Sequence, residues 1–165
     1  MWTVFQEEEK KLLRKKLAKF DFSKYSLEEI ESLIEHMREM MVKHNGVGLS
    51  ANQIGLDMQV FVAQLPHPKG KGYIGAFYAI FNPKITTRSL KKTNDEEGCL
   101  SVPGIYGATK RSDAITLKGQ DKYGTPLVMK VQGFLARIFQ HEVDHLNGRL
   151  FIEKARDLFR VDHEE

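Results

Sequence analysis

The chain has 165 residues, 41% hydrophobic and 28% charged, which suits one compact domain and leaves little room for two. Its formal net charge of +3, from 25 basic and 22 acidic residues, is too mild to argue for nucleic-acid binding, and no apolar run is long enough to span a bilayer. The opening MWTVFQEEEKK carries no signal core, and the lone cysteine, Cys99, excludes an intrachain disulfide; both lead us to expect a reducing cytoplasm.

The first basic cluster, KKLLRKK (residues 10–16), follows three glutamates and reads as a solvated helix face. Ser26 followed by Leu27, Glu28 and Glu29 is a capping box, so a helix is expected to start there. Leu27, Ile30, Leu33, Ile34, Met37, Met41 and Val42 recur at helical spacing and read as a core-facing stripe. His44-Asn45-Gly46 supplies the stop. GVGLSANQIG (residues 46–55) is too rich in glycine for a helix or a central strand and reads as a loop with exposed backbone. Val60 to Ala63 is a predicted strand, residues 66–75 a surface loop, and Tyr78 to Phe81 a further strand that Asn82-Pro83 ends or bends. EEGCLSVPG (residues 96–104) is expected to be extended. Residues 114–118 and 126–131 are β-rich and joined by DKYG, which reads as a hairpin. Residues 133–147 form a predicted helix with Phe134, Ile138, His141 and His145 on one face and Leu135, Phe139 and Leu146 beside them. A helix apolar over so much of its circumference is expected to be buried. The order of elements argues for an α+β fold: mainly antiparallel sheets packed around a buried central helix that carries HEVDH, with an N-terminal helix. Residues 1–11 and 156–165 are placed at its periphery.

Within HEVDH, His141 and His145 stand four residues apart, one turn of helix, so both imidazoles can reach one ion. Glu142 takes the general-base position of that motif. Two solvent-facing histidines would be the alternative, but both continue the apolar stripe, where imidazoles without a partner are costly. A catalytic site of this kind takes a third protein ligand and keeps one open position. Glu153, His163 and the terminal acids lie downstream, none at a recognisable ligand spacing; Cys99, framed by glycines, lies upstream. A thiolate with two imidazoles suits ferrous iron, zinc, cobalt or nickel.

Three blocks, in order, resemble the peptide deformylase family. GVGLSANQIG is similar to its glycine-rich first motif, with the glutamine at Gln53. EGCLS, inside EEGCLSVPG, is its second motif unaltered. QHEVDHLNG carries its third. FNPKI, ARIFQHE, GRLF and Leu13-Arg14 are similar to the family as well, and the likeness runs from residue 12 to residue 153. Ser50 departs from it, since most relatives have alanine there. The chain also stops at VDHEE where many bacterial members continue, so ribosome docking through a basic tail is not expected.

The resemblance implies a metal-dependent hydrolase that removes the N-formyl group from the formyl-methionine of new polypeptides, in a bacterial cell or a virus-infected bacterial host, with transient ribosome contact. It implies Cys99, His141 and His145 as ligands of one divalent ion, ferrous iron first, with zinc, nickel or cobalt able to replace it. Glu142 would move the proton, and the Gln53 amide and Leu100 N–H would donate to the oxyanion. Gly46 and Gly48 would bind the backbone of an extended peptide. Val47, Phe134 and Ile138 would line the methionine pocket. Glu97 and Arg111 match a charged pair that braces the second motif. Two other readings stand beside this one: a zinc endopeptidase with a different third ligand, and a catalytically dead peptide-binding module.

Overall fold

The computed structural model describes residues 1–69 and 72–161. His163, among the alternative ligands, and Gly70 and Lys71 of the expected 66–75 loop lie outside the described residues.

The charged opening forms α1 (Glu7–Leu13), which buries Leu13 and leaves Glu7, Glu8 and Lys11 exposed. The capping box then starts α2 (Leu27–Lys43): Ser26 Oγ accepts from Glu29 N at 3.2 Å, and Glu29 Oε2 accepts from Ser26 N at 2.7 Å. That exchange satisfies two N–H groups the helix would otherwise leave unpaired. The expected core stripe is narrower than its sequence pattern. Ile30, Met37 and Met41 are buried, whereas Leu27 and Val42 are exposed. At 100° per residue, Val42 falls about a third of a turn from the line of those three. Asn45, in the left-handed region at φ 54°, turns the chain out of the helix.

The glycine-rich segment is not all loop. Gly48–Ser50 forms β1, pairing antiparallel with β2 (Val60–Pro66) through Gly48↔Ala63, Leu49↔Val62 and Ser50↔Phe61. Three residues at a sheet edge tolerate a glycine that a long central strand would not. Ala51–Ile54 then makes a 3-10 turn. β2 is buried on both faces from Val60 to Ala63, which explains its unbroken apolar run. β3 (Tyr73–Arg88) continues through Asn82-Pro83, which bends the strand and does not end it. Asn82, at φ 48°, sits in a bulge between Phe81 and Lys84, so the strand bends and continues. Its amide ties the bend down: Oδ1 accepts from Phe20 N at 2.8 Å, and Nδ2 donates to Phe20 O at 2.9 Å and Gln120 Oε1 at 2.8 Å.

β4 (Lys92–Cys99) and β5 (Val102–Ser112) form a hairpin whose tip is Leu100-Ser101. β6 (Ala114–Gln120) and β7 (Pro126–Gln132) form the expected second hairpin. α3 (Gly133–Leu146) carries HEVDH, and β8 (Arg156–Arg160) follows it. Among the described residues all pairings are antiparallel, in one sheet of order β1-β2-β3-β6-β7 and another of order β4-β5-β8.

The helices sandwich the larger sheet. Val60 and Val62 of β2 pack with Ile30, Met37 and Met41 of α2. Phe61 and Ala63, alternating to the other face, pack with Ala136, Ile138, Phe139 and Val143 of α3. Phe61 and Phe139 meet edge to face at 5.2 Å between centroids. α3 also contacts β5, so it lies between the two sheets as the buried central helix expected for an α+β fold.

Two segments placed at the periphery by sequence are tied to this framework. β8 is exposed throughout, yet it pairs with β5 through Ile105↔Arg160 and Tyr106↔Phe159. At the other end, Trp2 N donates to Gln53 O at 2.8 Å and Val4 N to Ser101 O at 3.0 Å, joining the first two motifs.

Candidate metal centre

α3 gathers the reactive groups because one buried helix crosses both sheets. His145 Nε2 lies 3.2 Å from His141 Nε2 and 3.1 Å from Cys99 Sγ. Cys99 arrives from the end of β4, where a register shift between Gly98 and Cys99 breaks the ladder; such a bulge re-aims a side chain. The ligand atoms of Cys99, His141 and His145 all lie within 4.8 Å of one another. The spacing between the imidazole nitrogens is close to the edge, roughly 3.3 Å, of a tetrahedron built on ~2.0 Å metal–nitrogen bonds. Burial works against an imidazolium at His141, but hydrogen bonds to Cys99 and Glu97 outweigh it and push the ring up to about 10. Burial, then the charge of His141, push His145 well down. A metal ligand must be a neutral imidazole, so a proton held at His141 leaves as an ion enters.

Glu97 orients the first imidazole. Its Oε2 lies 3.1 Å from His141 Nδ1, leaving Nε2 to face the other donors. The same carboxylate accepts from Arg111 Nε at 2.6 Å, from a second Arg111 nitrogen at 2.8 Å and from Arg137 at 2.6 Å. Burial alone would raise its pKa, but the bonds to Arg111 and His141 dominate and hold it well below the usual carboxylate range. Arg111 also reaches Asp144 Oδ2 at 2.7 Å, and Lys154 closes on that carboxylate from outside at 2.7 Å. Removing one member of such a buried set strands the others. Arg111→Met is expected to lower the unfolding free energy by about 3 kcal/mol, the low end of the range for a broken buried pair, because Arg137 and Lys154 remain. A fall in the urea midpoint at unchanged slope would register it; an unmoved midpoint would contradict it.

The first motif lies across from α3. Glu142 is 3% exposed, and its Oε2 accepts from Ser50 Oγ at 2.6 Å. Burial pushes its carboxyl above the ordinary range, opposed by the charge of His141 and the Ser50 hydroxyl. Gly48 leaves room for this carboxylate, since a Cβ there would overlap Glu142 Oε1. Gln53 Oε1 accepts from Ser50 N at 2.9 Å, which turns Nε2 toward Ser101 Oγ at 3.2 Å and Cys99 Sγ at 3.7 Å. Leu100 sits at the hairpin tip beside Cys99.

A cavity of about 520 Å³ opens on these groups. Gly46, Val47, Gly48, Gln53, Glu97, Cys99, Leu100, Phe134, Ile138, His141 and Glu142 all border it, while His145 and Arg111 join the same cluster from behind through His141, Cys99 and Glu97. Two of them differ in detail from expectation. Phe134 is 49% exposed, in the exposed first turn of α3, and borders the cavity; it is not core. Gly46 donates its N–H to Met41 O at 2.9 Å and accepts from the Tyr73 hydroxyl at 2.7 Å, so little of its backbone is open to a peptide. Glu153, an alternative ligand, is instead occupied by Arg14 and by Leu150 N.

Sequence reasoning missed several supports. In the sequence Ser50 stands only as a departure from the family, and Arg137 only within ARIFQHE, with no role. Its spacing was the available signal: Arg137, His141 and His145 recur every fourth residue on one face. Asn52, whose Nδ2 donates to His145 O at 3.0 Å, and Ser101 gave no comparable sign.

Two imidazoles and a thiolate converging beside a buried glutamate, on a helix reading HEVDH, define a metallohydrolase of the HExxH class. Comparison with known proteins narrows that class. A family model described as polypeptide deformylase matches residues 3–160. A peptide deformylase of Carboxydothermus hydrogenoformans is 44% identical over 131 residues, covering 79% of this chain and 80% of the relative. The crystal structure of a probable peptide deformylase from Synechococcus phage S-SSM7 superposes with a TM-score of 0.79 at 33% identity, covering 93% and 97% of the two chains. A Met-Ala-Ser-bound peptide deformylase from Acinetobacter baumannii gives 0.80 at 33% identity, covering 87% and 91%. The chain belongs to the polypeptide deformylase family, and its activity is the family's: metal-dependent removal of the formyl group from N-terminal formyl-methionine.

Proposed function

We propose that Cys99 Sγ, His141 Nε2 and His145 Nε2 hold one divalent ion, ferrous iron by preference with zinc, nickel or cobalt able to replace it, and that Glu142 moves the protons of deformylation. The carrying observation is the convergence of those three donor atoms within 4.8 Å beside a buried Glu142. When bound, the ion supplies Lewis acidity toward a water and toward the formyl oxygen. Glu142 takes the proton that water loses as its oxygen adds to the formyl carbon, and returns it to the amine as the C–N bond breaks and formate leaves. Gln53 Nε2 and the Leu100 N–H donate to the oxygen that gains charge. The peptide adds alongside β1 at its free edge, with Gly48 contributing more than Gly46. The methionine side chain enters the cavity between Val47, Phe134 and Ile138. The relative bound to Met-Ala-Ser supports a site of that chemistry.

We place the reaction in a bacterial cytoplasm, in passing contact with the ribosome, where formylated N-termini emerge; the bacterial relatives support this. The test is an anaerobic assay on formyl-methionyl peptides with metal quantitation. Formate release with one ion per chain is expected, and iron-loaded protein should lose activity in air faster than nickel-loaded protein, because a thiolate-held ferrous site is oxidation-prone. Internal cleavage without formate would replace the proposal with the endopeptidase reading, and an inert protein would leave the binding module.

A further inference from the structure

Ser50 lies at the joint between the two groups assigned to proton transfer and oxyanion binding. It is fully buried, with none of its surface in contact with solvent. Its backbone N–H donates to Gln53 Oε1 at 2.9 Å, which fixes the direction of the Gln53 amide. Its hydroxyl lies 2.6 Å from Glu142 Oε2 and 3.1 Å from the Glu142 carbonyl oxygen. Among the described residues no hydrogen-bond partner meets Glu142 Oε1, which rests against the bare Cα of Gly48.

We infer that Ser50 is a positioning residue for Glu142: its hydroxyl anchors Oε2 and leaves Oε1 as the atom that carries the proton. The inference rests on the role proposed for Glu142. A glutamate side chain has three rotatable bonds, and a general base works only within hydrogen-bond reach of the proton it takes. Packing settles most of that freedom; the last torsion, which exchanges the two oxygens, is broad and two-fold. The 2.6 Å bond distinguishes the two oxygens. It has the length of a hydroxyl donating to a charged carboxylate. Oε2 carries no hydrogen whether the carboxyl is charged or protonated at Oε1, so the hydroxyl can donate to it in both states, with the Glu142 carbonyl oxygen as a second acceptor. One buried hydroxyl thus keeps its hydrogen bonds through both halves of the reaction, and the carboxyl need not move when the proton arrives or leaves.

Ser50→Ala isolates this role. Alanine keeps the backbone bond to Gln53, and the resemblance places alanine at this position in most relatives, so the variant is expected to fold and to bind metal as before. Its kcat is expected to fall about tenfold with KM unchanged, the order expected for a lost hydrogen bond to a charged group. In a Glu142→Asp background, where the shortened carboxylate is already displaced from the hydroxyl, the same change is expected to add little. A second readout needs no turnover. The infrared carboxyl band that disappears in Glu142→Gln is expected to shift in Ser50→Ala. Unaltered kcat, an equal loss in both backgrounds or an unmoved band would each overturn the inference. Wild-type protein that fails to release formate would instead overturn the proposed function, while the band still reports on the Ser50–Glu142 contact.

Discussion

Glu142→Gln is expected to bind its metal normally and to lose deformylase activity by roughly a hundredfold to ten-thousandfold, the range general acid–base catalysis supplies. The substitution is nearly isosteric, and Glu142 lies outside the ligand set, so the cluster of Cys99, His141 and His145 stays intact. An amide oxygen can still accept from Ser50 Oγ, which occupies Oε2 in the wild type at 2.6 Å. The amide cannot take a proton from water near neutral pH, nor return one to the departing amine. Both halves of the reaction suffer, while peptide binding along β1 does not. The loss should therefore appear in kcat and leave KM nearly unchanged, as expected for an interaction made only in the transition state. Burial adds to the argument. It raises the Glu142 carboxyl above its ordinary range, which makes the carboxylate a stronger base toward the proton that water loses. Metal analysis and steady-state kinetics on a formyl-methionyl peptide test this together. Full activity in the variant would remove Glu142 from the mechanism. Loss of metal would mean that the residue supports the ligands and its catalytic role had been misassigned.

Local chemistry made much of this protein legible. The Ser26 capping box fixes the start of α2, the apolar run Val60 to Ala63 marks a strand buried on both faces, and HEVDH places two imidazoles one turn apart. What escaped depends on contacts between distant segments. Ser50 and Glu142 stand 92 residues apart, so the meaning of a hydroxyl in place of alanine emerges only when β1 packs against α3. Arg137 reads as an interruption of an apolar face until Glu97 arrives from β4 to neutralise it at 2.6 Å. Asn82-Pro83 carries the local signature of a strand end, yet β3 continues because the Asn82 amide bonds to Phe20 and Gln120 across the bend. Phe134 has the right periodicity for core, but periodicity does not say where along its length a helix leaves the sheet. Apolar pattern reports which face is covered; cavities and buried charge networks are set by register and crossing position.

Cys99→Ala is expected to lower metal occupancy at micromolar free metal and to abolish deformylation with it. Losing even an outlying partner of a ligand costs about 10–100-fold in metal affinity, so a direct ligand should cost at least that. The geometry leaves the cluster few substitutes. Glu97 is committed to Arg111, Arg137 and His141, Glu153 to Arg14 and Leu150 N, and Asp144 to Arg111 and Lys154. Glu142 is nearby, but its Oε2 is held by Ser50. With two imidazoles left, the site falls below the three protein ligands that catalytic metal centres of this kind use. Cys99→Asp separates the ligand's charge from its softness. A carboxylate restores an anionic third donor, so occupancy by zinc should recover in part, with a shift toward ions that favour oxygen. Unchanged occupancy in Cys99→Ala would show that another residue completes the site and would revive the endopeptidase reading. Recovery of both metal and formate release in Cys99→Asp would instead show that the chemistry needs a third anionic ligand and does not need sulfur.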